Sequence, residues 1–489
     1  MLESIAGASR ASARWGLTLA LILGAGCAHV PPHLELPVLE VRQPAFAATL
    51  GAYTGTTVVG GNRVSLLLNG EEIFPAKLAA IRKAKRTINY AQYVFEDGGP
   101  AEDIAEALAE RCRAGVKVNV LLDAVGALAM PPAHRSTMSE AGCRVETYRP
   151  LSPFTLDRVN FRNHRRILVV DGLVGITGGS GISGKWSGNG RQEGRWRDTD
   201  IMVEGPVVEQ LQGAFAENWL EATGVAIGGP EYFPRSRLES RGSVEAQVVR
   251  SSPAGGSTAM YTMFLLALAS AKHSVYITNP YFLPDEKMTT TLIAAARRGA
   301  RIVLIVPGAI DHNLVRQASR SEFGRLLKRG IQIYEYRPAL LHAKTMVIDG
   351  VWATVGSTNL DHRSFALHLE ALYALAWLLG LVPHLDPAEP APDGLVAQLP
   401  HLPSKETFEE WRARTIPSAR SAAEAAIVLD LFYCLDWAYL EAERRRIRLP
   451  GLIDSNAIGQ RRWALEWAVV MRGPYQEPPR GWEEVDLST

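Results

Sequence analysis

Apolar positions along this chain alternate between two rhythms, and the alternation occurs twice. Phe74 to Ala84 spaces its apolar residues as an amphipathic helix does, and it leads into Thr87–Phe95, a β-branched and aromatic run with strand character. A second helical pattern over Ala101–Ala114 precedes the strand-like Gly115–Asp123. The same order returns downstream as helix Met260–Ala271, strand Ser274–Phe282, helix Glu286–Arg298 and strand Gly299–Pro307. Gly115 and Gly299 stand where each second helix should stop. Helices alternating with buried strands predict an α/β fold of two duplicated halves, each a mixed, mostly parallel sheet flanked by helices.

Breaks in the pattern suggest the boundaries. The first half is assigned to 63–227 and the second to 244–384, joined by a Gly/Pro-rich linker over 228–243. Residues 385–489 read as a Pro-rich linker and a C-terminal helical extension, with Lys405–Arg448 its helical part. The apolar run Ala366–Val382 contains His368 and Glu370, which favours a buried core segment over a membrane-contacting helix. At the other end, Arg10 and Arg14 precede the short apolar run Trp15–Leu23 and then Gly24-Ala-Gly-Cys27. That arrangement predicts a signal peptide over 1–26 of the lipoprotein type, with Cys27 as the lipidated residue, followed by a surface leader over 27–62. The expected location is therefore the cell envelope, membrane-associated and lipid-anchored after export.

At 489 residues the chain exceeds one ordinary core. Its charges nearly cancel, at +1, so no global basic field marks a nucleic-acid partner. Beyond Cys27 there remain Cys112, Cys143 and Cys434, read as small buried apolar residues and not as a disulfide framework. Their spacing matches no zinc pattern.

The chemistry-bearing signal is a short motif present in both halves. Upstream it reads His164-Arg-Arg166-Ile-Leu-Val-Val-Asp171, followed by Gly178-Gly-Ser180-Gly181. Downstream it reads His342-Ala-Lys344-Thr-Met-Val-Ile-Asp349, followed by Gly356-Ser357-Thr-Asn359. In an extended segment, positions i and i+2 face the same way, so each His projects with its cation. Asp171-Gly172 and Asp349-Gly350 are hairpin-turn pairs leading to a return strand that ends at the Gly/Ser element. The Asp residues, at an odd offset, belong to the motif as turn or supporting groups, able to pair with the cation, and not as the acid–base group.

A neutral imidazole can attack phosphorus to give a phosphohistidine, and a protonated one can supply the proton to the departing alkoxide. Arg166 and Lys344 would hold the non-bridging oxygens, with Ser180, Ser357 and Asn359 as further phosphate donors and glycines permitting close approach. A cation two residues from each His opposes a divalent ion, so no metal or other cofactor is expected.

At these residues the chain resembles the phospholipase D superfamily, and within it the bacterial cardiolipin synthases, over about residues 64–370. Asn163–Gly172, Trp196-Arg-Asp198-Thr-Asp200, Asn279–Asp285, Val306–Gly308, Leu341–Thr345 and Gly356–Phe365 carry the likeness. The resemblance implies two halves packed face to face around one active site, one His the nucleophile and the other the general acid/base. It further implies that Asp198 and Glu370 orient the imidazoles. Three positions depart from the family pattern: Arg166 replaces Lys, Gly181 replaces an amide-bearing Asn, and His368 replaces an Asn beside Glu370. The following Ala371–Leu379 also looks more helical than the usual strand.

The expected function is a membrane-associated phosphatidyltransferase of cardiolipin synthase type, taking phospholipid at a membrane surface and an alcohol or water acceptor. A phospholipase D hydrolase giving phosphatidate is the nearest alternative. A metal-independent nuclease follows, disfavoured by the charge balance, and then a non-catalytic lipid-binding protein.

Overall fold

The computed structural model describes residues 35–150, 163–250, 259–284, 286–308, 323–360, 369–389, 420–445, 458, 461–462 and 464–465. In chain order these form α1 (Pro44–Thr54), β1 (Val59–Leu68), α2 (Asn69–Lys83), β2 (Thr87–Gln92), α3 (Pro100–Arg113), β3 (Lys117–Asp123), α4 (Pro132–Glu140), β4 (Arg144–Tyr148), β5 (Ile167–Val170), β6 (Val174–Gly178), β7 (Trp196–Arg197), β8 (Thr199–Glu204) and α5 (Val207–Thr223). They continue as β9 (Val244–Ala246), α6 (Ala259–Ser270), β10 (Ser274–Thr278), α7 (Glu286–Arg297), β11 (Arg301–Pro307), β12 (Gln332–Tyr336), β13 (Leu340–Leu341), β14 (Lys344–Ile348), β15 (Trp352–Gly356), α8 (Leu369–Leu378) and α9 (Ala422–Arg445).

The duplication is visible in strand order. The first sheet runs β4-β3-β2-β5-β6-β8-β1-β9 and the second β12-β11-β10-β14-β15, so five strands of each correspond one to one. In both, the first three strands are parallel neighbours and the motif strand, β5 or β14, inserts antiparallel. Both sheets are therefore mixed, as expected, but parallel pairing does not dominate: β1, β5, β6, β8 and β9 in the first sheet and β14 and β15 in the second join by antiparallel pairings.

Each sheet is built by alternation of side chains. Ile88 and Tyr90 of β2 face α2 and α3, joined by Val118, Val120 and Leu122 of β3. Ala91, Leu121, Ile167 and Val169 face the opposite side, where α5 lays down Leu211, Phe215 and Trp219. Burial on both faces leaves β5 wholly apolar, while β2 and β3 also bury Asn89 and Asn119, which hydrogen-bond to each other, Asn89 also to Gln212 of α5. Pro100 starts α3, acidic Glu102 and Asp103 occupy its first turn, and Arg111 and Arg113 its last, each matching the helix dipole.

Three further expectations need correction. The leader expected on the surface over 27–62 is in part structural: α1 inserts Phe46 and Leu50 into the core of the second half, and Phe46 meets Trp352 edge-on. These two are one helical turn apart, so a single short helix delivers both. The expected linker is also not the seam, because β9 beyond it pairs with β1 and extends the first sheet. Of the three cysteines read as small buried apolar residues, which allow at most one disulfide, Cys112 and Cys143 form one between the end of α3 and the residue before β4, and Cys434 is exposed. The helix expected after residue 368 is α8, and its Tyr373, Ala374 and Trp377 pack with Leu429 and Phe432 of α9, so it belongs with the C-terminal unit. Among the described residues no helix is long and apolar enough to cross a membrane. Cys27, the leader peptide, His368 and most of the C-terminal extension lie outside the described residues.

Candidate active site

The two halves meet along a short seam. β7 of the first half pairs parallel with β13 of the second, and the pairing continues as His342 N–H donates to Arg197 O at 2.8 Å. Tyr336 Oη also crosses the seam, donating to Gly190 O at 2.7 Å. Because β7 and β13 sit beside Asp198 and His342, the seam itself brings the two motif regions together.

His342 is buried and its Nδ1 lies 2.7 Å from Asp198 Oδ2, a residue of the other half. That partner assigns the tautomer: Nδ1 carries the proton and donates it to the carboxylate, leaving Nε2 with its lone pair. Lys344 Nζ stands 2.8 Å from His342 Nε2 and 2.6 Å from the His342 carbonyl oxygen. Burial, then the Lys344 charge, lowers the imidazole pKa to about 4 despite the opposing pull of Asp198. Asp198 is fully buried; desolvation raises its pKa, but His342, Lys344 and the Trp186 N–H outweigh that and hold the carboxyl well below its usual range. At neutral pH the pair is a carboxylate beside a neutral imidazole.

His164 sits just ahead of β5. Its Nδ1 is 3.2 Å from Ser357 O of the opposite motif, and its ring packs on Tyr93 with centroids 4.5 Å apart. Arg166 Nη1 lies 3.3 Å from the same Nδ1 and donates to His164 O at 3.0 Å. Burial first, then the charges of Arg166, Lys344 and His342, pushes the imidazole well below its ordinary pKa. Each histidine stands beside its own cation, as the two-residue offset predicts, and the two pairs lie close enough that each histidine feels the other's cation. Arg166 Nε and Asn359 Oδ1 are shielded from water and have no hydrogen-bond partner among the described residues, which leaves one unused donor and one unused acceptor in these two motifs.

Other expected members of the site do not reach it. Asp171 and Asp349, grouped with the catalytic residues in the motif, lie at the far ends of β5 and β14. The Asp171 carboxylate accepts the backbone N–H groups of Lys85, Arg86 and Thr87, and Asp349 accepts those of Lys272, His273 and Ser274. Burial raises the Asp349 pKa, but its three amides prevail and lower it. Both aspartates adopt positive φ followed by a positive-φ glycine, the pair a tight hairpin turn requires. They fasten each turn to the start of β2 or β10.

Ser180 is likewise withdrawn from phosphate. Its hydroxyl accepts from Lys77 Nζ at 2.7 Å and donates to Asp200 Oδ2 at 2.6 Å, while Lys77 and Asp200 form a buried ion pair at 2.9 Å. The neighbouring glycines have a related purpose: a Cβ on Gly178 or Gly179 would overlap the Asp200 or Asp198 carboxylate. Glu370 opens α8, and its side chain lies outside the described residues. Sequence patterns gave no signal for Lys77, Tyr93 or Trp186, which belong to no repeated motif. Trp196 and Asp200 fall inside a recognised segment but without an assigned role. Among the described residues no group of three or more His, Cys, Asp or Glu is gathered as a metal site would need.

The chain has relatives among known proteins. The PLD-like domain of cardiolipin synthase matches residues 78–219 and 264–376, and a domain of unknown function matches 340–485. The chain is 35% identical over 310 residues to a cardiolipin synthase of Geobacillus kaustophilus strain HTA426, covering 63% of this chain and 62% of that protein. It is 35% identical over 347 residues to cardiolipin synthase A of Pseudomonas syringae pv. syringae strain B728a, covering 70% and 71% respectively. The chain therefore spans under two thirds of the Geobacillus protein, at 62% of its length. A solved phosphatidylserine synthase of Haemophilus influenzae Rd KW20 overlaps 66% of this chain and 84% of its own at 12% identity, with a TM-score of 0.48.

Proposed function

Because the chain belongs to the cardiolipin synthase family with its PLD-like domain, we propose that it is a phosphatidyltransferase working through a phosphohistidine. The observation that carries this reading is the crossed pairing of the motifs, with His342 on Asp198 and His164 on Ser357 O. Each half supplies what the other's histidine needs.

In the proposed reaction, His164 Nε2 attacks the phosphorus of a phosphatidyl donor. Its Nδ1–H is directed at Ser357 O, so Nε2 holds the lone pair, and its strongly lowered pKa keeps it unprotonated. His342 serves as acid and then base, since Asp198 can stabilise the imidazolium that forms. As the P–O bond to the leaving alcohol breaks, His342 Nε2–H protonates that oxygen. An acceptor hydroxyl then returns its proton to His342 and attacks phosphorus, and the P–N bond breaks. The entering phosphodiester is itself an anion and raises the His342 pKa from its value in the empty site, so Nε2 takes up a solvent proton on substrate binding and it is this proton that passes to the leaving oxygen. Arg166, Lys344 and Asn359 are the candidates for holding the non-bridging oxygens. With phosphatidylglycerol as both donor and acceptor, the products are cardiolipin and glycerol.

We place the enzyme at a membrane surface of the cell envelope, anchored through Cys27. The export-type leader supports this, as does the Cys112–Cys143 disulfide, a bond that persists in oxidising compartments. The test of function is incubation of the full chain with labelled phosphatidylglycerol in mixed micelles. Cardiolipin with stoichiometric glycerol supports the transferase, whereas phosphatidate as sole product identifies a hydrolase.

A further inference from the structure

Position 181 lacks the amide its relatives are expected to carry, and a tryptophan occupies the space beside it. A Cβ on Gly181 would stand 2.7 Å from Trp186 Cη2 and Cζ3 and 2.9 Å from Val94 Cβ, so no side chain at 181 fits while this indole is present. Trp186 ends a 3-10 turn, Gly184–Trp186, whose entry is capped by Ser183 Oγ accepting Lys185 N–H. The turn delivers the indole into the core, where it is almost wholly buried.

Its polar atom has a specific destination. Trp186 Nε1–H donates to Asp198 Oδ2 at 2.8 Å, and that same oxygen is 2.7 Å from His342 Nδ1. The indole also lies edge-on to the His342 ring at 5.4 Å, while Trp196 flanks the imidazole at 5.0 Å and Trp186 at 4.5 Å. A buried indole N–H must find an acceptor, and here the acceptor is the carboxylate that orients the catalytic imidazole.

We propose that Trp186 is a positioning residue for His342, its indole N–H fixing the Asp198 carboxylate and limiting that carboxylate's basicity. Asp198 Oδ2 then divides its accepting capacity between two N–H groups, and Oδ1 receives the Thr199 N–H, at 2.9 Å. Loss of the indole donor leaves a more basic carboxylate facing His342 and a carboxyl plane free to turn. The imidazolium becomes easier to form and harder to discharge. This rests on the proposed role of His342 in proton transfer.

The test is a substrate-free titration of the full chain labelled with 15N-histidine, with His342 assigned through His342→Ala. In Trp186→Phe, which keeps an aromatic ring but no donor, the His342 midpoint should rise by about half a pH unit or more, the scale of one lost charge-assisted hydrogen bond. Turnover should fall about tenfold, with the low-pH limb of the rate profile moved upward. A folded Trp186→Phe protein with an unmoved His342 midpoint overturns the proposal, even if its melting temperature drops. Should that variant fail to fold, the unaltered chain decides: the Trp186 indole N–H resonance, assigned by its contact with the His342 ring, should follow the His342 midpoint. A pH-independent indole signal overturns the proposal. Failure of phosphatidyl transfer would instead count against the proposed function, because the titration uses no substrate.

Discussion

Asp198→Asn perturbs the centre of the site with almost no change of shape. The carboxylate is fully buried, holds His342 Nδ1 at 2.7 Å and stands among the charges of Lys344 and Arg166. The asparagine amide can present N–H to Nδ1, which favours the tautomer with its proton on Nε2, the wrong form for accepting one from an incoming alcohol. The imidazolium also loses its counter-charge. Together these remove about 3–5 kcal/mol of transition-state stabilisation, a fall of about 10²- to 10⁴-fold in kcat. Removing a negative charge makes the anion site more cationic, so the KM for phosphatidylglycerol and the Kd for inorganic vanadate should hold steady or decrease. Transfer of labelled phosphatidyl groups, followed under initial-rate conditions with vanadate inhibition alongside, separates these effects. A kcat within threefold of the unaltered enzyme, or a raised KM at unchanged kcat, refutes Asp198 as the partner of the catalytic imidazole.

The lowered imidazole pKa values make folding pH-dependent. The unfolded chain takes up a proton near the ordinary histidine value of 6.5, whereas folded His342 resists until about 4. Stability is therefore full above 6.5 and falls as pH drops through this window, by about 3 kcal/mol for His342 alone, measurable by urea unfolding between pH 7 and 4.5. Breaking the disulfide with Cys112→Ser and Cys143→Ser, which frees a loop of 31-residue separation, should cost up to about 3–4 kcal/mol by denaturant unfolding. Phe46→Ala removes a buried ring that joins α1 to the second half, and should lower stability by about 3–5 kcal/mol with kcat retained at temperatures below the transition.

Regularity decides what the sequence makes legible here. The helices and strands of both halves follow from apolar spacing and β-branched runs, although β2 and β3, sandwiched between helices, also bury Asn89, Gln92 and Asn119. The hairpins at Asp171 and Asp349 follow from local chemistry, since Asp-Gly favours positive φ. The pairing of each histidine with its cation follows from the two-residue offset. Ser180 does not follow: its hydroxyl is claimed by Lys77, on a helix with no motif. Nor does α1, whose Phe46 and Leu50 find their core in a half that begins some two hundred residues later. Cys112 and Cys143 illustrate the same limit, because only the packing of α3 beside β4 brings them together. Trp186 is the most instructive omission. Gly181 alone looks like a lost donor, and only the three-dimensional contact shows the ring carbons of an indole filling the space beside it.

Trapping of the covalent intermediate tests the central claim most directly. A single turnover with ³²P-phosphatidylglycerol, quenched in alkali where a phosphorus–nitrogen bond survives, should leave label on His164 in the unaltered enzyme and none in His164→Ala. His342→Ala should still accept label at His164, more slowly, and fail to discharge it. Label on His342, or full turnover by His164→Ala, would contradict the assignment of attack to His164 and of proton transfer to His342.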